Sequence, residues 1–467
     1  MKKTKIFLIL LLVSISIFLV SRFVLDTDYF WHIKAGCEMF KNGVLTHDIF
    51  SWFVLGKYWM SHEWLFEIYL YIYKIIFGNY HTIAYVGTSI FLLIFILYIF
   101  NKDNFSKNIF YTLFYFVLFA TMGLAFIQAR PHMISYSFIA LTIYLCFDLY
   151  KNKDSKKIYF LPLISILWSN VHGGSSNLSY ILCIIFLVCG LFSFKFKKIE
   201  SDRISKMQIY RYLLVIVLCM IGICINIHGV KMFIYPYINM LDTTMINNIN
   251  EWQPTSLGVL YHYVYYIYLL FIIMTMLVSS KKIKLIDFVL LLFVSYLGLK
   301  SVRFWLYSPI VMSFIIFDYV KEIRVSNLPI YILSSLIVLI LGVSIYNSKY
   351  INITNHLNLD DEVIKIIKKE NPKRLFNMYE YGGELIYNDI SVFIDGRADL
   401  YSKYNFKDYL DIANLNNDYK KLIDKYDFDY LLINKKANIY YYLKDNNEYD
   451  NIYENKNLIL YKKTVNY

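Results

Sequence analysis

Residues able to do acid, base or phosphate chemistry fall into a few short clusters. The densest is Asp26-Thr27-Asp28-Tyr29-Phe30-Trp31-His32, followed by His62-Glu63-Trp64. A helix starting near Thr27 puts Asp28 and His32 one turn apart on a common face. Carboxylates and imidazoles so placed can take up a proton. Arg130-Pro131-His132 and Lys300 to Arg303 offer cations that could hold a lipid phosphate, although snorkelling at a membrane edge explains them equally well. Trp168 to Gly174 and Asn226 to Gly229 each join Asn, His and Gly, so that His172 and His228 sit beside glycines that let backbone approach a ligand. Each residue taken alone has a plainer role: Asp26 can cap a helix, and a lone His is usually structural.

The elements positioning these residues follow from composition. The chain has 467 residues, 58% hydrophobic and 18% charged, with a mean hydropathy of +0.45. An ordinary soluble chain is about 45–50% apolar and about 25% charged. Apolar runs of spanning length recur along the first three quarters, so a polytopic membrane protein is expected. Residues 5–24 read as an uncleaved first helix with the N-terminus inside. Further spans are expected at 80–100, 109–127, 133–150, 158–171, 175–194, 212–227, 257–279, 285–302, 304–320 and 328–346, giving eleven.

With that start, the loops 101–108, 151–157, 195–211, 280–284 and 321–327 are inside, and they are the basic ones. The formal charge of +12 is then mainly topology, and no nucleic-acid partner is expected. The same alternation places Asp26 to Glu63, Arg130, His132, His172, His228, Glu251 and Arg303 together on the outside. Ionisable groups at the edges of spans are functional candidates.

Within the long first outer loop, 26–79, the segment 64–77 shows helical spacing of Trp64, Leu65, Ile68, Ile72, Ile75 and Ile76, with Glu67 and Lys74 on its polar side. It is too short to span and is expected to lie along the membrane surface. A substrate with a lipid tail and a polar head suits such a site. The expected domains are a transmembrane part, 1–346, and an extracytoplasmic α/β domain, 347–467, with helices at 359–370, 380–388, 404–415 and 417–426. Strands are expected at 374–377, 391–394, 429–433 and as a pair within 449–463. Five of the six cysteines fall in expected spans and Cys37 in an outer loop, with no disulfide framework or metal-ligand spacing.

Asp26 to His32, His62-Glu63-Trp64, His172-Gly173-Gly174 and Asn226-Ile227-His228-Gly229, with Glu251-Trp252-Gln253, Asn377 to Ile386 and Phe393-Ile394-Asp395-Gly396-Arg397-Ala398-Asp399-Leu400-Tyr401, resemble the bacterial polytopic membrane proteins related to the GT-C glycosyltransferases. That superfamily includes oligosaccharyltransferases, protein mannosyltransferases and lipid A aminoarabinose transferases. The resemblance implies a catalytic acid in the first outer loop and a polyprenyl-phosphate-linked sugar donor. Asp28-Tyr29-Phe30 is the better match to that acid, with Asp26 its neighbour. Tyr379-Glu380-Tyr381-Gly382 is similar to the acceptor-reading Trp-Trp-Asp-Tyr-Gly signature of oligosaccharyltransferases, but lacks both tryptophans and has Glu for Asp.

The resemblance thus implies a membrane glycosyltransferase, a hexosyl- or pentosyltransferase, acting on the outer face of the cytoplasmic membrane by inverting single displacement. Asp28 or Asp26 would be the general base; Arg130, His132, Arg303, His172 and His228 would serve the donor phosphate. His32, His62, Glu63 and Glu251 would line the substrate loop, with Glu380, Tyr381, Asp395 and Arg397 on the acceptor side. A divalent Mg or Mn on Asp26 and Asp28 is an open option. Two rivals stand beside this reading. One is a transporter or flippase for a lipid-linked substrate. The other is a non-catalytic scaffold whose outer domain binds a glycan or partner, with Asp395 to Asp399 a structural turn in which Arg397 pairs with a carboxylate.

Overall fold

The computed structural model describes residues 2–22, 25–322 and 357–464, with side chains from Ile6. The chain divides into two compact units: a helical unit formed by 1–24, 77–241 and 246–351, and an α/β unit formed by 25–76, 242–245 and 352–467.

The helical unit carries long apolar helices, among them Lys2–Ser21, His81–Phe105, His132–Lys151, Lys206–Cys224 and Tyr263–Val278. Their outward residues are themselves apolar; Phe91, Phe95 and Ile99 of His81–Phe105 are exposed. Helices apolar all round suit lipid rather than water. Among the described residues, five helical runs are long and apolar enough to cross a membrane: Trp64–Phe105, His132–Lys151, Gly173–Gly190, Lys206–Cys224 and Leu260–Val278. Ile6–Ser21, Ile109–Gly123 and Lys157–Val171 are shorter apolar helices. The expectation of eleven spans goes beyond these. The segment 304–320 is not one helix but Tyr307–Met312 followed by a separate turn at Ile316–Asp318, and 328–346 lies outside the described residues. A helix at Val230–Leu241, with Pro236 inside it, was not anticipated.

One end of this unit is tied together by its basic loops. Strands Phe194–Phe196, Ile199–Ser201 and Ile283–Lys284 form a small sheet in that order, the last pair parallel. Arg211 Nη1 donates to the carbonyls of Lys153 and Ser155 at 2.7 and 2.8 Å. The loops expected to share one side therefore bond to one another.

In the α/β unit a four-stranded sheet runs in the order Leu375–Asn377, Tyr430–Asn434, Leu458–Lys463, Tyr449–Glu454, the first pair parallel and the others antiparallel. Helices Asp361–Glu370, Gly382–Tyr387, Phe406–Asn414 and Tyr419–Tyr426 fall near their expected positions. The first loop belongs to the same unit, contributing the helices Asp28–Asn42 and Trp64–Phe77.

The segment 391–394 is no strand of the sheet. Its Phe393 amide donates to Asn377 Oδ1 at 2.9 Å, and its Phe393 carbonyl accepts from Asn405 Nδ2 at 3.0 Å, so side chains take the bonds a ladder would need. It pairs with the first loop instead: Trp52 N donates to Val392 O and Val392 N to Phe50 O, at 3.1 and 3.2 Å. Trp52 stacks on Phe393 with ring centres 5.6 Å apart, and its indole Nε1 donates to Leu375 O at 3.0 Å. Loop and tail thus share one core.

Candidate functional site

The helix Asp28–Asn42 opens on an Asx-type turn in which Asp26 Oδ1 accepts the Asp28 amide at 2.7 Å. It ends at Gly43, whose φ of 88° stops the helix and whose amide bonds to Met39 O. Asp26 thereby takes the capping role, while the Asp28 side chain points elsewhere. A Cβ on Gly396 would overlap the Asp28 carboxylate and come within 2.8 Å of Trp31 Nε1. A Cβ on Gly383 would overlap the Thr27 carbonyl. Two glycines of the tail, one in the Asp-Gly-Arg turn and one in Tyr-Gly-Gly, therefore admit the start of this helix. The indole Nε1 of Trp31 is buried and has no hydrogen-bond partner among the described residues.

One turn on, His32 lies between two glutamates. Its Nδ1 is 3.3 Å from Glu67 Oε1 and its Nε2 is 3.7 Å from Glu63 Oε2, all three residues being buried. The expectation that Glu67 lies on a polar, solvated face is overturned. Gly36, one turn beyond His32, has no room for a Cβ against the Glu67 carbonyl, so the two helices meet backbone to backbone and Glu67 is enclosed. Burial, with Glu63 and Asp399 nearby, raises the Glu67 carboxyl well above the usual range against the lowering pull of Arg397. His62 Nε2 is 3.0 Å from Glu63 Oε1, and its Nδ1 is 3.9 Å from Asp399 Oδ2. Burial lowers the His62 value, but the Glu63 and Asp399 carboxylates and the Met60 carbonyl outweigh it, leaving it raised.

Beside this cluster lies a buried ion network. Arg397 Nε and Nη2 grip Asp395 at 2.8 and 2.6 Å, while Nη1 reaches Asp48 Oδ1 at 2.6 Å. Tyr401 donates to Asp395 Oδ2 at 2.5 Å, and the guanidinium sits 4.8 Å over the Trp59 ring. Every donor fork of Arg397 that these bonds use is spent on the fold. Asp395 and Arg397 thus form the structural turn named as the plainer alternative, and they hold Gly396 against Asp28. Glu380 is half-buried, accepting from Asn434 Nδ2 at 3.3 Å, and Tyr381 is buried behind it.

Within the helical unit, Arg130 Nη1 and Arg303 Nη1 converge on Glu251 Oε1 at 3.3 and 3.0 Å, with Arg303 stacked over Trp252. Three turns far apart in sequence are brought together here. His132 bonds the Phe126 carbonyl through Nε2 at 2.8 Å. The His172 Nδ1 meets Ser135 and Ser175 hydroxyls at 2.7 and 2.9 Å, and Trp168 Nε1 bonds the same two serines. The two Asn-containing exits are joined: Asn226 Nδ2 donates to Asn170 Oδ1, and Asn170 Nδ2 to Ile225 O, both at 3.0 Å. Asn226 Oδ1 then accepts the His228 amide at 3.0 Å.

Sequence reasoning did not bring four residues into the site: Glu67, Asp48, Asp399 and Trp31. Only for Glu67 was there a local signal, since it lies four residues after Glu63 and so on the same helix face.

No protein-family model matches the chain, and no curated protein matches it in sequence. Solved structures do match. The crystal structure of the Archaeoglobus fulgidus oligosaccharyltransferase in its apo form aligns with a TM-score of 0.51 at 10% identity, covering 92% of this chain and 70% of that one. At such identity the likeness concerns the fold. Together with the apolar helices, it points to an integral membrane protein with a fold similar to that of the oligosaccharyltransferase.

Proposed function

We propose that this protein is a membrane glycosyltransferase that moves a sugar from a polyprenyl-phosphate-linked donor to an acceptor hydroxyl on the outer face of the cytoplasmic membrane. The observation that carries this reading is the seat of Asp28. Its carboxylate, at the first turn of a helix, is pressed over a glycine beside a buried indole N–H, in a fold similar to that of an oligosaccharyltransferase.

In this proposal Asp28 takes the proton of the acceptor hydroxyl as its oxygen bonds to the anomeric carbon. The bond from that carbon to the phosphate oxygen breaks, and the electron pair leaves with the lipid phosphate. The leaving group is already an anion, so the step needs one base and positive charge, with no covalent nucleophile. Arg130 and Arg303, which Glu251 gathers within the helical unit, are the cations the proposal assigns to the donor phosphate. Asp26, committed to the Asp28 amide, positions the base.

The test is donor turnover by the purified protein in liposomes, read as polyprenyl phosphate released from a copurified or synthetic lipid-linked sugar. Asp28→Asn is expected to insert and accumulate normally and to lose release by about 10²-fold or more. Undiminished release by Asp28→Asn would overturn the assignment of the base. Donor crossing the bilayer with no release by the wild type would favour a flippase.

A further inference from the structure

We propose that His32, Glu63 and Glu67 bind a divalent ion of zinc or manganese type that fastens the helix Asp28–Asn42 to the segment leading into Trp64–Phe77. The three side chains are almost fully buried, and one ligand atom from each lies within 4.8 Å of the others. In a tetrahedral shell with bonds of about 2.1 Å the ligand atoms lie about 3.4 Å apart, so side-chain rotations that draw the three together by about 1 Å would seat the ion.

An independent observation points to a cation. Glu67 Oε2 is buried with no hydrogen-bond partner among the described residues, although its other oxygen faces His32. A buried acceptor left without a donor is costly. A metal ion satisfies the oxygen directly.

The surroundings are built for it. Gly36 brings the helix backbone against the Glu67 carbonyl and so fixes the carboxylate opposite the imidazole. Trp31 lies tilted against the His32 ring at 3.6 Å between centres, and Phe66 meets it edge-on at 5.1 Å, which holds the ring plane. One imidazole with two carboxylates suits zinc or manganese; calcium and magnesium favour all-oxygen shells. Asp26 and Asp28 do not belong to this set: among the described residues, the His/Cys/Asp/Glu group with ligand spacing is His32, Glu63 and Glu67.

The inference is independent of sugar transfer, so its test reads metal content. Full-length protein in detergent is exchanged against chelator, loaded with Zn(II) or Mn(II), desalted and assayed by plasma mass spectrometry. The wild type is expected to retain about one equivalent, and Asp28→Asn the same. His32→Asn and Glu67→Gln are expected to lose about tenfold or more of the bound metal. If either variant aggregates, X-ray absorption at the zinc edge of the loaded wild type decides, with a nitrogen and oxygen shell and imidazole scattering expected. No retained metal in the wild type, a sulfur shell, or full retention by both variants with loss in Asp28→Asn would overturn the proposal.

Discussion

Asp28 owes its position to an atom that is missing. Because Gly396 has no side chain, the carboxylate can lie where any other residue would put a Cβ. Gly396→Ala is therefore expected to displace the carboxylate and lower donor turnover by about 10²-fold, since a misplacement of about 1 Å suffices for that, while the protein accumulates at wild-type levels. Arg397 holds the same turn from the other side. Arg397→Met leaves Asp48 and Asp395 buried and uncompensated, which costs about 3–5 kcal/mol and should appear as a lower midpoint in thermal unfolding. Arg397→Lys keeps the charge but not the two-pronged grip on Asp395 and should fall between the two.

At the scale of elements, the sheet and its helices were legible because their signals are local. Asp361–Glu370, for instance, has apolar Val363, Ile364 and Ile367 on one side and a capping Asp360, whose Oδ1 accepts the Val363 amide at 2.9 Å. Partial burial raises the Asp360 carboxyl, but Val363 N, the Tyr453 hydroxyl and Asn455 outweigh it and leave it lowered. Its stabilising contribution is thus complete above the unfolded value of about 3.9 and fades as pH falls through the lower folded value. Asp360→Ala is expected to cost about 1 kcal/mol, and the difference from wild type in unfolding midpoint should shrink in acid. What was not legible depended on distant partners. The 391–394 run has the apolar character of a strand, yet Asn377 and Asn405 take its backbone bonds and a bridge to Ser51 replaces a ladder. Glu67 looked solvated because its helix is amphipathic, and only the glycine on the facing helix encloses it. Of the candidate site, the acids and histidines of the first loop were visible as a cluster; their meeting with Gly396 and Gly383 was not, since no spacing rule links positions so far apart.

At the scale of the whole molecule, the tail is an incomplete domain. Residues 352–467 lack Asp48, the partner of Arg397, and lack the Phe50–Trp52 segment that pairs with Val392. Expressed alone, this stretch is expected to be protease-sensitive and to give a poorly dispersed amide spectrum; supplying residues 25–76 in the same polypeptide through a linker should restore dispersion. A well-dispersed spectrum from the tail alone would show that the first loop is dispensable to its folding.

The bond between Asp48 and Arg397 joins positions 349 residues apart. A ribosome adding about 5–20 residues per second needs on the order of tens of seconds to make the intervening chain. Throughout that interval the first loop has emerged, with its acids and tryptophans, but its counterpart does not yet exist. The loop must wait unassembled while the helices that follow it are inserted, and the acid at its start acquires its seat only when the last quarter of the chain arrives. Any truncated product released before residue 397 would therefore carry the Asp28 sequence without the geometry around it.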